Sequence, residues 1–195
     1  KTCQRYSVQV NASLLHISYF IFQIMPQRPP TPKPALRLIA ENKRTKDPYL
    51  DLGLCGLTHF PKELEECVWL KTLILSEEWN EYNLVEKKWV YKRSGNRGKD
   101  GYDNRNKIED IVGIEGCTLL EKLVIIGRYN SRHPLMSLAP LSGLTNLQDL
   151  YCRSTQVSDL VALSGLPNLQ KLNCSYTQES NLVELSGMAN IDRLQ

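Results

Sequence analysis

The sequence predicts an α/β solenoid with a parallel β-sheet on its concave face and short helical or 3₁₀ turns on its convex face. The strongest observation is a 22-residue repeat, because residues 141–162 and 163–184 agree at 14 of 22 positions. Each unit is too short to bury its own apolar side chains, so stacked units must share one continuous core. Within a unit, inward and outward residues alternate across a short strand, as in Leu150-Tyr151-Cys152.

The same apolar spacing occurs earlier in the chain. A first unit lies in residues 50–64, a second begins near Leu73, and the spacing resumes at Ile111. A third copy of the C-terminal unit starts at Leu185 and is cut at Leu194. Because an uncapped solenoid exposes its core, we expect the natural protein to continue beyond this end.

These units resemble the short, 22-residue leucine-rich repeats of bacterial internalins. Residues 49–64 (YLDLGLCGLTHFPKEL) are also similar to repeat units of intracellular bacterial proteins, including Roco-type GTPases. The resemblance covers roughly residues 35–195. It implies a fold and not a function, since one fold hosts many functions. A protein-binding module and the sensor or scaffold region of a larger Roco-like signalling enzyme are both compatible with it.

Residues 1–34 are predicted to be a leader and a proline-rich linker, largely disordered. Residues 12–25 are mostly apolar but too few to span a bilayer. They are compatible with an unstructured leader, a packed helix or a targeting segment. Residues 26–34 hold five prolines, which predict an extended linker. Residues 35–46 show helical apolar spacing and precede Asp47-Pro48, so we expect a helix that caps the first coil.

Residues 77–106 interrupt the repeats. The interval from Leu73 to Leu123 is 50 residues, where one repeat would need about 22. The alternation of Trp89 and Tyr91 predicts a flap or hairpin, with a flexible tip over residues 94–106. Its aromatic residues and cations are typical of interface hot spots, although they could instead pack back onto the solenoid. A shorter excursion at 127–134 is expected to leave His133 in solvent.

The outward strand positions form the expected partner-binding face. Together with three aromatic residues of the insertion, the candidates are Tyr49, Asp51, Ile74, Lys122, Val124, Asp149, Tyr151, Arg153, Lys171, Asn173, Trp79, Trp89 and Tyr91. Ile74, Val124 and Ile126 would form a small apolar patch on this face. The insertion starts from the same edge, so it could equally cover that patch.

No spacing in the sequence indicates catalysis, a metal site or a cofactor. Six cysteines without close pairs favour free thiols in a reducing compartment, with Cys152 and Cys174 on adjacent coils. A net charge of +3 without a basic stripe does not predict nucleic-acid binding. The sequence therefore predicts a non-catalytic, cytoplasmic module that binds a protein partner. It predicts neither membrane association nor an obligate oligomer. Secretion or surface attachment is the alternative if the N-terminal segment is a signal.

Overall fold

A parallel sheet runs along one face of the molecule. The computed structural model describes residues 28–83, 85–96, 104–128, 131–178 and 193–194. The strands of the sheet lie in chain order: β1 (Tyr49–Asp51), β2 (Thr72–Ile74), β5 (Lys122–Val124), β6 (Asp149–Tyr151), β7 (Lys171–Asn173) and β8 (Arg193–Leu194). Between β2 and β5, β3 (Glu78–Asn83) and β4 (Lys88–Arg93) form a separate antiparallel hairpin.

The central leucine of each strand fixes the register of the sheet. In-register pairing aligns Leu50, Leu73, Leu123, Leu150, Leu172 and Leu194. The first five of these leucines are buried, and burying such a side chain is worth about 1.5–3 kcal/mol. The convex legs are 3₁₀ turns at Lys62–Leu64, Ile114–Gly116, Ala139–Leu141 and Val161–Leu163. The predicted solenoid, with a parallel sheet and short convex turns, is confirmed.

An asparagine in the repeat links each coil to the one before it. The side-chain amide of Asn146 donates to the Thr118 carbonyl at 2.9 Å. The equivalent Asn168 donates to the Thr145 carbonyl at 2.8 Å. Each amide satisfies a carbonyl in the turn of the preceding coil, which explains why the repeat carries asparagine at this position.

The helix α1 (Lys33–Thr45) closes the N-terminal end of the core. It begins two residues before the predicted start because proline is tolerated in the first turn. Ala35 and Ile39 are fully buried against the first coil. The amide of Asn42 donates to the carbonyls of Asp47 and Tyr49 and accepts the Trp69 indole N–H at 2.9 Å. These bonds fix the helix to the first two coils.

Residues 28–32 differ from the disordered linker that the sequence predicts. The Arg28 guanidinium donates to the Val112 carbonyl and to Asp110, at 3.2 and 3.1 Å. The Thr31 hydroxyl donates to Glu63 at 2.7 Å. The segment therefore lies along the coils before α1 begins. The expectations for residues 1–27, and for most of the third repeat copy at 185–195, lie outside the described residues.

The described cysteines are buried free thiols. They are Cys55, Cys67, Cys117, Cys152 and Cys174. Burial raises the pKa of Cys55 to about 11 and the pKa of Cys117 to about 12. At neutral pH Cys55 and Cys117 are therefore protonated, and they serve as small apolar groups of the core.

Candidate functional site

The Trp79 side chain packs the hairpin against the concave face of the sheet. The chain turns directly from β2 into β3 and returns over the sheet. The Trp79 side chain, only 6% exposed, packs with Ile74, Val124 and Tyr151, which are 2% exposed or less. Ile126 packs at the margin of this cluster. The apolar patch of the concave face is therefore covered by the protein's own insertion.

This packing corrects part of the expected partner-binding face. Ile74, Val124, Tyr151 and Trp79 are buried, and Asn173 is 6% exposed. The strand alternation predicts Ile74, Val124 and Tyr151 on the concave side, and they lie there. Alternation distinguishes the two faces of a sheet but does not show whether a second layer covers one of them. The alternative that the insertion packs back onto the solenoid therefore fits the structure at Trp79, which lies against Ile74, Val124 and Tyr151.

Ion pairs hold the hairpin and the neighbouring strands. Glu81 contacts Lys122 at 2.6 Å and Lys92 at 3.3 Å. Burial alone would raise the pKa of Glu81, but the hydrogen bond and charge of Lys122, with Lys92, hold the pKa below its ordinary value. Lys171 pairs with Asp149 at 3.0 Å. Three more of the predicted partner-facing residues, Lys122, Asp149 and Lys171, therefore make intramolecular pairs.

The insertion returns to the first coil at Asp51. The Asp51 carboxylate accepts from the Ser94 hydroxyl at 2.9 Å and from the Gly95 N–H at 2.8 Å. The Asn96 amide donates to the Asp51 carbonyl at 2.6 Å. A turn lies at residues 85–87 of the hairpin, so the predicted flexible tip over 94–106 is wrong at its start, where Ser94–Asn96 is anchored. Residues 97–103 lie outside the described part.

Asn106 is a structural residue whose role the sequence does not indicate. Its amide donates to the carbonyls of Leu52 and Leu75 at 2.9 and 2.8 Å. Its side-chain oxygen accepts the Leu57 N–H at 2.9 Å. One side chain thus joins the backbones of the first two coils. The only signal in the sequence is its place shortly before the apolar spacing resumes at Ile111.

His133 is buried, contrary to the solvent-exposed position expected from its loop. It is 6% exposed, and Nε2 accepts the backbone N–H of Ile108 at 3.2 Å. Burial lowers the pKa of His133 to about 4 from its ordinary value of 6.5. The imidazole is therefore neutral at physiological pH. It acts as a core hydrogen-bond acceptor.

The side of the hairpin turned away from the sheet forms an aromatic surface, here called the hairpin outer face. Its members share one side by their pairing in the ladder and are Glu78, Asn80, Tyr82, Trp89, Tyr91 and Arg93. Trp89 is 38% exposed and meets Tyr82 edge-on, with ring centroids 5.2 Å apart. Tyr91 is 53% exposed, donates to the Glu78 carboxylate and accepts from Arg93 Nε at 2.8 Å.

A cleft of about 450 Å³, here called the arginine cleft, opens where β5 and β6 end. Trp79, Asn80 and Tyr91 line it from the hairpin. Arg105, Arg128 and Arg153 line it from the loops. The Glu77 carboxylate lies 2.7 Å from the Arg128 guanidinium and 3.0 Å from Arg105 Nε. The Arg153 guanidinium lies 5.7 Å from the ring centroid of Tyr176.

No group of three or more His, Cys, Asp or Glu side chains in the described ranges could hold a metal ion. Within the same ranges, no helix is both long and apolar enough to cross a bilayer. The polar groups described on the concave side include the ion pairs, the hydrogen bonds of Asp51 and the arginine cleft.

Comparisons with known proteins agree with this geometry. The family described as "Leucine Rich repeats (2 copies)" matches residues 145–187. Residues 145–187 therefore carry leucine-rich repeats. No curated protein matches its sequence. The predicted resemblance to bacterial leucine-rich repeat proteins is confirmed, whereas the similarity to Roco-type proteins stays a prediction.

Three solved structures with a similar fold come from bacteria. Internalin C2 of Listeria monocytogenes has 22% identity and a TM-score of 0.54, covering 75% of this chain and 50% of its own. The internalin InlF of the same species has 19% identity and a TM-score of 0.51, covering 81% and 43%. A leucine-rich repeat protein of Leptospira interrogans has 18% identity and a TM-score of 0.45, covering 78% and 38%. The chain spans half the length of these proteins or less.

Proposed function

We propose that this chain is a non-catalytic module that binds a protein partner through the hairpin outer face. The observation that carries the proposal is the exposure of Trp89 and Tyr91 on a hairpin that Trp79 fixes to the sheet. Repeat solenoids offer rigid, extended surfaces for binding. Here the apolar part of the concave sheet is already covered, so the hairpin supplies the aromatic surface in its place.

The chemistry of the hairpin outer face supports this role. Tryptophan, tyrosine and arginine are the residue types enriched in interface hot spots. Tyr91 is held between Glu78 and Arg93, and Trp89 is held against Tyr82. Side chains already fixed in place lose less conformational entropy on binding. Tyr49 on β1 is 46% exposed and is a further exposed aromatic side chain on the sheet.

The test is to replace Trp89 and Tyr91 with alanine in one variant. A partner is first identified by proximity labelling in cells of the source organism and then purified. We expect the double variant to bind it at least about 30-fold more weakly by calorimetry, because two hot-spot side chains are lost. Val85→Ser is the matched control, since Val85 lies in the hairpin turn and is 92% exposed. Unchanged affinity of a folded double variant would refute the proposal.

The cytoplasmic location remains a prediction of the sequence. So does an association with a larger Roco-like enzyme, in which this region would be the sensor or scaffold. The binding proposal depends on neither, because it concerns a surface that is complete within the described residues.

A further inference from the structure

The arginine cleft contains two buried hydrogen-bond donors that lack an acceptor. Trp79 Nε1 and Arg153 Nε are both inaccessible to solvent and have no hydrogen-bond partner within the described part of the chain. Both residues line the same cleft. Buried polar groups in native proteins are almost always paired, so two such N–H groups on residues that line one cavity point to a missing acceptor.

The charges around the cleft define the acceptor further. The Glu77 carboxylate already bridges Arg128 and Arg105, and the Glu78 carboxylate accepts from Tyr91. Among the described residues, no carboxylate forms an ion pair with Arg153. The Arg153 guanidinium instead lies against the ring of Tyr176. A guanidinium placed against an aromatic ring still presents its donors in the plane of the fork, where a carboxylate binds. The group that fits is therefore anionic.

We propose that the arginine cleft binds a carboxylate, namely an aspartate or glutamate side chain of the protein partner. The proposal rests on the function proposed above and names the chemistry of that partner. The carboxylate would accept from Arg153 Nε–H and from the Trp79 indole N–H. A singly charged group suits the cleft better than a phosphate dianion, because the carboxylates of Glu77 and Glu78 line it as well. A volume of about 450 Å³ accommodates such a side chain with its flanking backbone.

The experiment uses small probes and the full chain, so that it needs no partner. N-acetylglutamic acid α-amide supplies the carboxylate, and N-acetylglutamine α-amide is its neutral isostere. Nitrogen-15 NMR follows the indole N–H of Trp79 and the Nε–H of Arg153. We expect saturable shifts of both signals with the glutamate probe, with a dissociation constant on the order of 10 mM. We expect no saturable shift with the glutamine probe.

Variants identify the donor. Arg153→Gln should abolish the saturable shift of the Trp79 signal. Arg153→Lys should weaken binding about tenfold, since lysine keeps the charge and loses the planar fork. Arg37→Gln is the matched control, because Arg37 is exposed on α1 and does not line the cleft. The backbone amide spectrum of each variant reports whether it is folded.

Three outcomes would overturn the inference. The first is the absence of a saturable shift with the glutamate probe. The second is equal binding by folded Arg153→Gln. The third is tighter binding of phenyl phosphate than of the glutamate probe, which would assign the cleft to phosphate. All three outcomes are measured on chains that keep Trp89 and Tyr91, so a failure here is distinguishable from a failure of the proposed binding surface.

Discussion

Single side chains decide which parts of the concave face are open to a partner. Trp79 covers the apolar patch, and Asp51 holds the returning segment at Ser94 and Gly95. Both positions were predicted as partner contacts from their place on strands or in the insertion. Their positions follow from tertiary packing, which a single sequence does not reveal. Trp89 and Tyr91 are exposed on the opposite side of the hairpin.

The lowered pKa of buried His133 is expected to make the folding stability of the protein depend on pH. The unfolded chain takes up the imidazole proton near pH 6.5, whereas the folded chain does so only near pH 4. Between these values the unfolded state binds more protons, so folding stability falls as the pH is lowered through this window. The contribution is up to about 3 kcal/mol at the acid end.

Replacement of His133 by glutamine should remove this dependence, since glutamine retains an acceptor oxygen and has no proton to bind. Urea unfolding measured between pH 7 and pH 4 should give a flatter stability profile for His133→Gln than for the natural chain. His59→Gln is the control, because the His59 side chain is partly exposed and lies on another coil. A profile of His133→Gln that matches the natural chain would contradict the assignment.

The insertion consists of two elements with different roles. The hairpin of β3 and β4 lies over the sheet, whereas Ser94 and Asn106 hydrogen-bond to the first two coils. Alternation of Trp89 and Tyr91 was enough to predict strand structure there. It could not locate the turn, because no Asn-Gly or Asp-Gly pair marks residues 85–87.

The hydrogen bonds of Asn106 are expected to stabilise the contact between the first two coils. Asn106→Ala leaves the carbonyls of Leu52 and Leu75 and the N–H of Leu57 without their partner. We expect a loss of about 2–4 kcal/mol in the free energy of unfolding, measured in urea, because partly buried backbone groups lose their bonds. Asn80→Ala on the exposed side of β3 should change it by less than about 0.5 kcal/mol. Similar effects of the two substitutions would contradict this role.

The cleanest repeats were the easiest part of the fold to predict. The units from Leu141 to Gln178 keep one spacing of apolar residues, and each such residue in them lies in the core. The arginine cleft was not predictable in the same way. Arg105, Arg128 and Arg153 come from three separate loops whose meeting depends on how the coils stack and how the hairpin lies over them.

At the scale of the whole molecule, stability is expected to be local along the solenoid. Each coil contacts its neighbours, so a perturbation at one end should fade within a coil or two. The capping helix α1 is the test case, because Ile39 is 1% exposed and packs on the first coil. Loss of the packing of α1 should lower the local stability of β1 far more than that of β6.

Ile39→Ala is expected to cost about 2–5 kcal/mol at this end of the molecule, as cavity-forming substitutions do. Native-state hydrogen exchange should show faster exchange of the amides of β1, with little change in those of β6. Leu36→Ala on the same helix is the control, since Leu36 is 38% exposed. Uniform acceleration across all strands would mean that the solenoid opens as one cooperative unit.

Trp79 under the hairpin also gives the protein a built-in optical reporter. The sequence has three tryptophans. Trp69 lies beneath the Lys46 ammonium, 3.5 Å from its ring centroid, and Trp89 faces solvent on the hairpin. Their fluorescence should therefore differ in emission wavelength and in accessibility to a soluble quencher. Chains that keep one tryptophan at a time would follow the helical cap, the hairpin base and the aromatic surface as three separate signals.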